Sequence, residues 1–505
     1  MAAPNQAPPL AGHDLFACNA PLVEALDREG AGWAAERCSE LGRALTGEPL
    51  EWGRLANENP PKLRTHDRFG ERVDAVEFHP AWHEMLRLSL AHGTHSLSWT
   101  EKRDGSHVAR AALFMLASQI EAGHGCPVSM THAAVPALRT AAPGLAAEWE
   151  PRLMATDSVL CGMAMTERQG GSDVRANTTR ATPVGGDEYE LEGSKWFCSA
   201  PQSRIFLVLA QAPGGLSCFL LERGAGFEIQ RLKDKLGDRS NASSEIELRG
   251  ARARLVGEEG RGVRTIVEMV VHTRLDCVLG TAAGMRQAVE QATWHAAHRS
   301  AFGALLIEQP LMENVLADLC VESEAATVTA LRLARAYDRR ATDEREAAFA
   351  RIATALAKYW VCKRGPGHAA EALECLGGNG YVEESGMPRV YRQQPLLSIW
   401  EGSGNVVCLD VLRALQRAPE TFEAFLDELE PEQRHEAEKA VAGADEASAR
   451  VVVELLARAL QASLLIRHAP AAVADGFRAR EGSAYGTLPA GIDAPAIIER
   501  HRPIA

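Results

Sequence analysis

The sequence predicts a multidomain α+β protein in which an antiparallel β domain is held between two helical ones. At 505 residues the chain exceeds the ~100–200 residues of one domain, so it needs more than one core. Its apolar spacing runs at three and four residues up to about residue 156. From about 157 to 262 it alternates or forms short β-branched runs, and beyond that helical spacing returns. This α, β, α order lacks the strand–helix alternation of a doubly wound nucleotide-binding sheet.

Residues 1–156 form the first, α-helical domain, with helical spacing clearest over Ala81 to Ser118 and with Pro127 and Pro143 punctuating the stretch after it. Residues 157–262 form the β domain, from the runs EYELEG, IFLVLAQ, LSCFLLE, FEIQRL and SEIELRGARARLVG, each bounded by Gly, Pro, Asp or Asn. Residues 263–418 carry long helical runs over about 263–298, 309–340, 344–376 and 405–416, which suits a four-helix bundle. Pro419 and the acidic stretch 420–438 open a helical appendage, 419–505, with a helix ending near His468. An irregular tail completes it, carrying Gly482, Gly486, Pro489, Gly491, Pro495 and Pro503.

Composition narrows the function classes. Hydrophobic residues at 46% and charged residues at 24% exclude a wholly disordered chain. With 54 Lys and Arg against 67 Asp and Glu, the net charge of -13 repels phosphate backbones and anionic membranes. No run approaches the ~18 apolar residues of a bilayer span. The first twenty-one residues contain no Arg and no apolar signal core, so the cytoplasm is the expected compartment. The eleven cysteines form no CxxC pair and read as reduced core residues. The His79/His83 and His295/His298 pairs lack further ligands nearby in sequence, so no metal site is expected.

Four clusters carry candidate chemistry. The first is Met165-Thr166-Glu167-Arg168-Gln169-Gly170-Gly171-Ser172-Asp173, where adjacent glycines open the backbone and short hydroxyls offer donors; alone it also reads as an elaborate turn. The second is Lys195-Trp196-Phe197-Cys198-Ser199, either a surface for a flat ring or a strand end with a core aromatic. The third is Gly377-Gly378-Asn379-Gly380, where a helix stop explains one glycine and a backbone opened for phosphate explains three. The fourth is Ile399-Trp400-Glu401-Gly402-Ser403-Gly404-Asn405, where Glu401 is either an ordinary helix-start charge or a base set against a substrate.

In this order on an α-β-α background, the clusters resemble the acyl-CoA dehydrogenase flavoprotein superfamily. AMTERQGGSDVRA and ECLGGNGYVEESGMPRVYR match its two signature segments, and Arg299-Ser300-Ala301-Phe302-Gly303 matches its RxxFG element; Gln393 stands where the second signature ends in an Asp, Glu or Asn. The words THDRFG, VEFHPAWHEM, RLKDKLGDRSNAS and SIWEGSGNVVCLDVLRAL are similar to the AidB-type, alkylation-response branch. The resemblance spans roughly residues 10–418.

The resemblance implies the acyl-CoA dehydrogenase fold, one FAD per subunit and a homotetramer. By it, Met165, Thr166 and Ser172 contact the flavin or its pyrophosphate, and Trp196, Phe197, Cys198 and Ser199 lie along the isoalloxazine. Arg299, Phe302, Gln309, Gly377, Gly378 and Gly380 reach the FAD of a neighbouring subunit, and Ile399, Ser403 and Asn405 flank ring and adenosine. Glu401 takes the place of the base that removes the α-proton of an acyl-CoA while the β-hydride goes to flavin N5, electrons leaving to an acceptor flavoprotein. Burial beside Trp400 is the expected means of raising its pKa toward the working range. The substrate is expected to be a short or branched acyl-CoA, oxidised slowly. The alternative implied by the AidB type is a protein that protects duplex DNA, with FAD mainly structural and Arg413 at the DNA-contacting position. The appendage, with 9 Lys and Arg against 15 Asp and Glu from residue 420 onward, supplies no basic stripe for that role.

Overall fold

The computed structural model describes residues 5–480 and 484–504, so Gly482 of the expected tail and the first four residues of the expected leaderless start lie outside the described residues. The chain divides into two compact units. One comprises Met1–Leu50, Lys102–Ile120 and Arg274–Ala505, the other Glu51–Glu101 and Glu121–Thr273.

The second unit is built around a sheet that closes on itself. Its strands are β3 (Cys161–Ala164), β4 (Arg180–Gly185), β5 (Glu188–Ser199), β6 (Ile205–Ala212), β7 (Gly215–Glu222), β8 (Phe227–Leu232) and β9 (Ser243–Val256). Strand β6 pairs β7, β7 pairs β9, β9 pairs β5, β5 pairs β4, and β4 returns to β6, which leaves few open edges. The sheet is mixed where the alternating runs predicted antiparallel pairing throughout: β3 and β4 both run parallel to β6. Alternate residues point inward, so Tyr189, Leu191, Phe206, Val208, Phe219, Leu221, Ile229 and Ile246 share one core.

A hairpin, β1 (Lys62–His66) with β2 (Arg72–Glu77), belongs to the same unit. It lies in the region expected to be wholly helical. Its exposed polar face leaves only weak alternation, and its turn is set by Asp67, whose Oδ1 accepts from the Phe69 and Glu71 amides.

The first unit is helical. Helix α1 (Gly262–His298) enters it at Arg274 and is followed by α2 (Pro310–Arg339), α3 (Glu344–Cys375), α4 (Met387–Leu397) and α5 (Gly404–Arg417). Asp343 caps α3 by accepting from the Arg345 and Glu346 amides, which ends the short loop from α2. Helix α3 is the hub, packed against α2, α4 and α5.

The appendage is not a loose addition. Helix α6 (Ala449–His468) packs on α2 and α3 and buries Val452, Val453, Leu456, Leu460, Leu464 and Leu465. The tail, expected to be irregular, forms a helix, α7 (Ala494–His501), begun by Asp493, whose side chain accepts from the Ala496 amide. Gly486, Pro489 and Gly491 fall before that cap and Pro495 stands in the first turn, which is why the helix does not show in composition. Buried ion pairs fasten the tail to α2: Arg480 pairs with Asp318 and Glu322, and Arg500 with Glu324. No helix among the described residues is long and apolar enough to cross a membrane.

Candidate active site

In the barrel unit, the first two clusters meet. The Trp196 amide donates to the Thr166 carbonyl at 2.9 Å, joining the end of β5 to the signature loop. The two residues beside that contact form a buried ion pair: Lys195 Nζ lies 2.8 Å from Glu167 Oε1 and also donates to the Leu209 carbonyl at 2.7 Å. Glu167 further accepts from the Thr178 amide and hydroxyl and the Thr179 amide. Burial works against its charge, but Lys195 and these donors prevail and hold the carboxyl down at about 2. Lys195 itself is pulled below the usual lysine range by burial.

Strand β5 carries a bulge at this point, where Trp196 and Phe197 together face the single residue Glu245 of β9. The bulge turns Phe197 out, half exposed, while Cys198 points into the barrel core and is fully buried. Only the backbone of Cys198 is left to face a ligand. Lys233 Nζ sits 3.4 Å above the Trp196 ring and donates to Glu245. Ser199 Oγ lies 3.2 Å from Ser243 Oγ, which lies 3.3 Å from Lys235 Nζ.

The signature loop turns at Gly170, whose amide donates to the Glu167 carbonyl and whose φ of 119° a side chain would strain. Met165 is tied through its carbonyl to Asn177 Nδ2. Among the described residues, the Thr166 and exposed Ser172 hydroxyls make no hydrogen bond to another residue. An exposed aromatic face, spare hydroxyls and an open glycine turn form a donor set that fits a flavin and its pyrophosphate.

In the helical unit, the third and fourth clusters have different characters. Residues Gly377–Tyr381 make a tight turn after α3. Gly377 has φ 57°, and a Cβ on buried Gly380 would stand 2.0 Å from the Leu373 carbonyl, so backbone conformation accounts for the first and packing for the second; Gly378 has open space and no left-handed φ. Structure thus explains two of the three glycines where a helix stop explained one. The RxxFG element forms a turn with Phe302 fully exposed at φ 53°. Arg299 donates to the Asn5 carbonyl, Gln309 Nε2 to the Ala301 carbonyl at 2.8 Å, and Asn379 to Gln6. The neighbouring residues Asn5 and Gln6 therefore hold these two elements together.

The Glu401 loop joins α4 to α5. Glu401 lies at φ 59° and Gly402 at φ 106°, a left-handed pair that costs about 1–3 kcal/mol at a non-glycine residue. Arg274 Nε donates to the Glu401 carbonyl at 2.9 Å and its Nη1 to Asp410 at 2.8 Å, while Arg351 takes the other oxygen of Asp410. Lys358 Nζ donates to the Gly402 carbonyl. Trp400 packs on Cys277, Cys362 and Leu397, and Ile399 is exposed. Ser403 stands at the N-cap position of α5 without a side-chain capping bond, and Asn405 accepts from Arg450 of α6 at 2.8 Å. Arg413 is exposed on α5, with Asp410 3.7 Å away.

Sequence reasoning missed Arg274, Lys358 and the Glu167–Lys195 pair as site residues. The pair stood inside the first two clusters; the other two are lone cations inside long helices.

Known protein families match the chain along most of its length. Residues 162–251 match the acyl-CoA dehydrogenase middle domain, 260–416 its C-terminal domain, and 5–158 the adaptive response protein AidB N-terminal domain. The putative acyl-CoA dehydrogenase AidB of Escherichia coli K12 is 48% identical over 447 residues, 84% of this chain and 82% of that protein. The chain belongs to the acyl-CoA dehydrogenase family. Acyl-CoA dehydrogenase family member 11 of Caenorhabditis elegans is 32% identical over 416 residues, 77% of this chain and 67% of that protein. The structure of Caenorhabditis elegans ACDH-11 in complex with C11-CoA superposes with a TM-score of 0.87 at 26% identity, covering 99% of this chain and 92% of that one. The Bd2924 apo-form gives the same TM-score at 28% identity, covering 92% and 99%. As a family member the chain is an FAD-dependent oxidoreductase.

Proposed function

We propose that the chain oxidises a saturated acyl-CoA at its α,β-bond, with Glu401 as the base. The observation that carries this reading is the Glu401 loop, a strained left-handed turn whose two carbonyls are gripped by cations from α1 and α3. A helix-start charge of ordinary kind needs no such hold. FAD supplies the hydride-accepting chemistry when bound. Thr166 and Ser172 would hold its pyrophosphate, Met165, Trp196, Phe197, Ser199 and the Cys198 backbone would lie along the ring, and Ile399, Ser403 and Asn405 would border it. Arg299, Phe302, Gln309 and the Gly377–Gly380 turn would serve a neighbouring subunit's cofactor. The large exposed side chains Phe302, Leu311 and Tyr381 support such association, as a homotetramer.

Glu401 removes the α-proton, and the Glu401 backbone N–H polarises the thioester carbonyl so that this proton is acidic enough to leave. That ACDH-11 was solved with C11-CoA supports acyl-CoA as the substrate class and extends the chain lengths worth testing beyond short and branched ones. An electron-accepting flavoprotein completes the turnover. A DNA-protecting role has Arg413 for support, a single exposed cation beside an acid, and acyl-CoA chemistry is the reading we carry.

The test is anaerobic bleaching of the bound flavin across acyl-CoA thioesters of graded length and branching. One thioester should bleach the parent, and Glu401→Gln should slow this by about 10²–10⁴-fold. Bleaching that survives the substitution would remove Glu401 from the chemistry.

A further inference from the structure

Lys358 lies in the middle of α3 with 1% of its surface exposed. Asp276 is taken by Arg110, and Asp410 by Arg274 and Arg351; among the described residues no carboxylate stands within ion-pair distance of the Lys358 ammonium. Its acceptor is the Gly402 carbonyl, 44 residues further along the chain. Burying a lysine without an ion partner is unfavourable, and an apolar residue at this helix position would avoid that cost.

Peptide geometry gives the ammonium its role there. The Glu401 and Gly402 carbonyls belong to successive peptides, and Arg274 holds the first as Lys358 holds the second. With every peptide bond among the described residues trans, each N–H points opposite to its carbonyl, so the Gly402 and Ser403 amides each face away from the cation that holds their own peptide. One restraint would leave the second peptide free to rotate about Gly402; two fix both planes, and with them the backbone on the C-terminal side of Glu401. The left-handed conformation at Glu401 persists only where its surroundings over-determine it, and these two hydrogen bonds on successive peptides contribute to that hold. Charge points the same way. Burial pushes the Cys277 thiol up, Lys358 pulls it down and Glu401 pushes it up, so ammonium and carboxylate act on one dry neighbourhood.

We infer that Lys358 is a positioning residue for Glu401, locking the second peptide of the catalytic loop so that the carboxylate and the amides of Gly402 and Ser403 keep fixed directions. This deepens the proposed dehydrogenation and rests on it for Glu401's part in the chemistry.

The experiment compares FAD-loaded parent, Lys358→Met, Lys358→Gln and Lys358→Arg. Hydrogen exchange followed by mass spectrometry reports the segment 396–408, and anaerobic flavin reduction by a bleaching thioester reports rate and half-saturation separately. In Lys358→Met, exchange over 400–404 should rise at least about tenfold, and the limiting reduction rate should fall about 10²-fold, the usual effect of a displacement near 1 Å. Half-saturation should stay within about twofold, and Lys358→Arg should recover most of the rate. Should Lys358→Met fail to fold, Gln and Arg decide: a slow Gln and a fast Arg variant support the inference. Parent-like exchange and rate in either neutral variant overturn it, as does a loss of rate with unchanged exchange over 400–404. If no thioester bleaches the parent, the dehydrogenase reading falls, while exchange over 400–404 still decides whether Lys358 holds the loop.

Discussion

Glu167 and Lys195 show how much of the site hangs on side chains that never touch a ligand. Each is the sequence neighbour of a proposed flavin contact, Thr166 and Trp196, and their buried pair fixes the edge those two residues form. The Glu167 carboxyl titrates at about 2 in the folded state, below its ordinary 4.5. A depressed carboxyl stabilises the fold in full above about pH 4.5, and that contribution is lost as pH falls toward 2. Glu167→Gln should therefore flatten the acid limb of stability between about pH 5 and pH 2, read by urea denaturation at stepped pH. It should also lower the midpoint at pH 7, since Lys195 is left buried and unpaired, at a cost of about 3–5 kcal/mol. An unchanged acid limb would mean that the pair carries no linkage. These two residues were legible as members of two motifs, though not as partners. Arg274 and Lys358 were not legible, because what each does depends on contacts 127 and 44 residues away, and a lone cation inside a helical run has the same pattern as any solvated charge.

Elements were read well where their signal is long. Helices predicted at about 263–298, 309–340, 344–376 and 405–416 are found at 262–298, 310–339, 344–375 and 404–417, because long periodic runs average out local noise. The short hairpin β1–β2 escaped because its two strands are half exposed, and the tail helix α7 because Pro and Gly dominate the residues just ahead of it. The glycine turn after α3 shows the limit of motif reading within one element. Three glycines looked alike in sequence, yet Gly380 is required by the nearby Leu373 carbonyl while Gly378 has room for a side chain. Gly380→Ala should therefore destabilise the fold by about 1–3 kcal/mol. Gly378→Ala should leave stability unchanged within about 0.5 kcal/mol and, if ligand approach is what keeps it a glycine, weaken FAD retention. Thermal melting of both variants without cofactor, followed by FAD titration, separates the two roles; equal melting losses would place both glycines in packing.

At the scale of the whole molecule, charge and packing give the appendage different descriptions. Its composition, with 15 acids against 9 bases, suggests a solvated addition to an acidic protein. Its inner surface is otherwise: α6 buries six large aliphatic side chains where it packs on α2 and α3, and Arg480 and Arg500 enter with the chain to neutralise Asp318, Glu322 and Glu324. Burial works against the Glu322 charge, yet Arg480 and Arg364 hold its carboxyl down at about 2, so this acid stays charged throughout the neutral range. Removing everything after Ala418 would take away six aliphatic contacts worth about 1.5–3 kcal/mol each. It would also strip Arg480 from two buried acids, a further loss of several kcal/mol. Set against a typical total stability of about 5–15 kcal/mol, that loss leaves no margin for the helical unit. The truncated chain should accumulate as aggregate or as a species without cooperative melting, judged by circular dichroism and calorimetry on the soluble fraction. A soluble truncation with a cooperative transition within a few degrees of the parent would instead make the appendage a separate module, and the buried ion pairs a consequence of docking rather than a condition of folding.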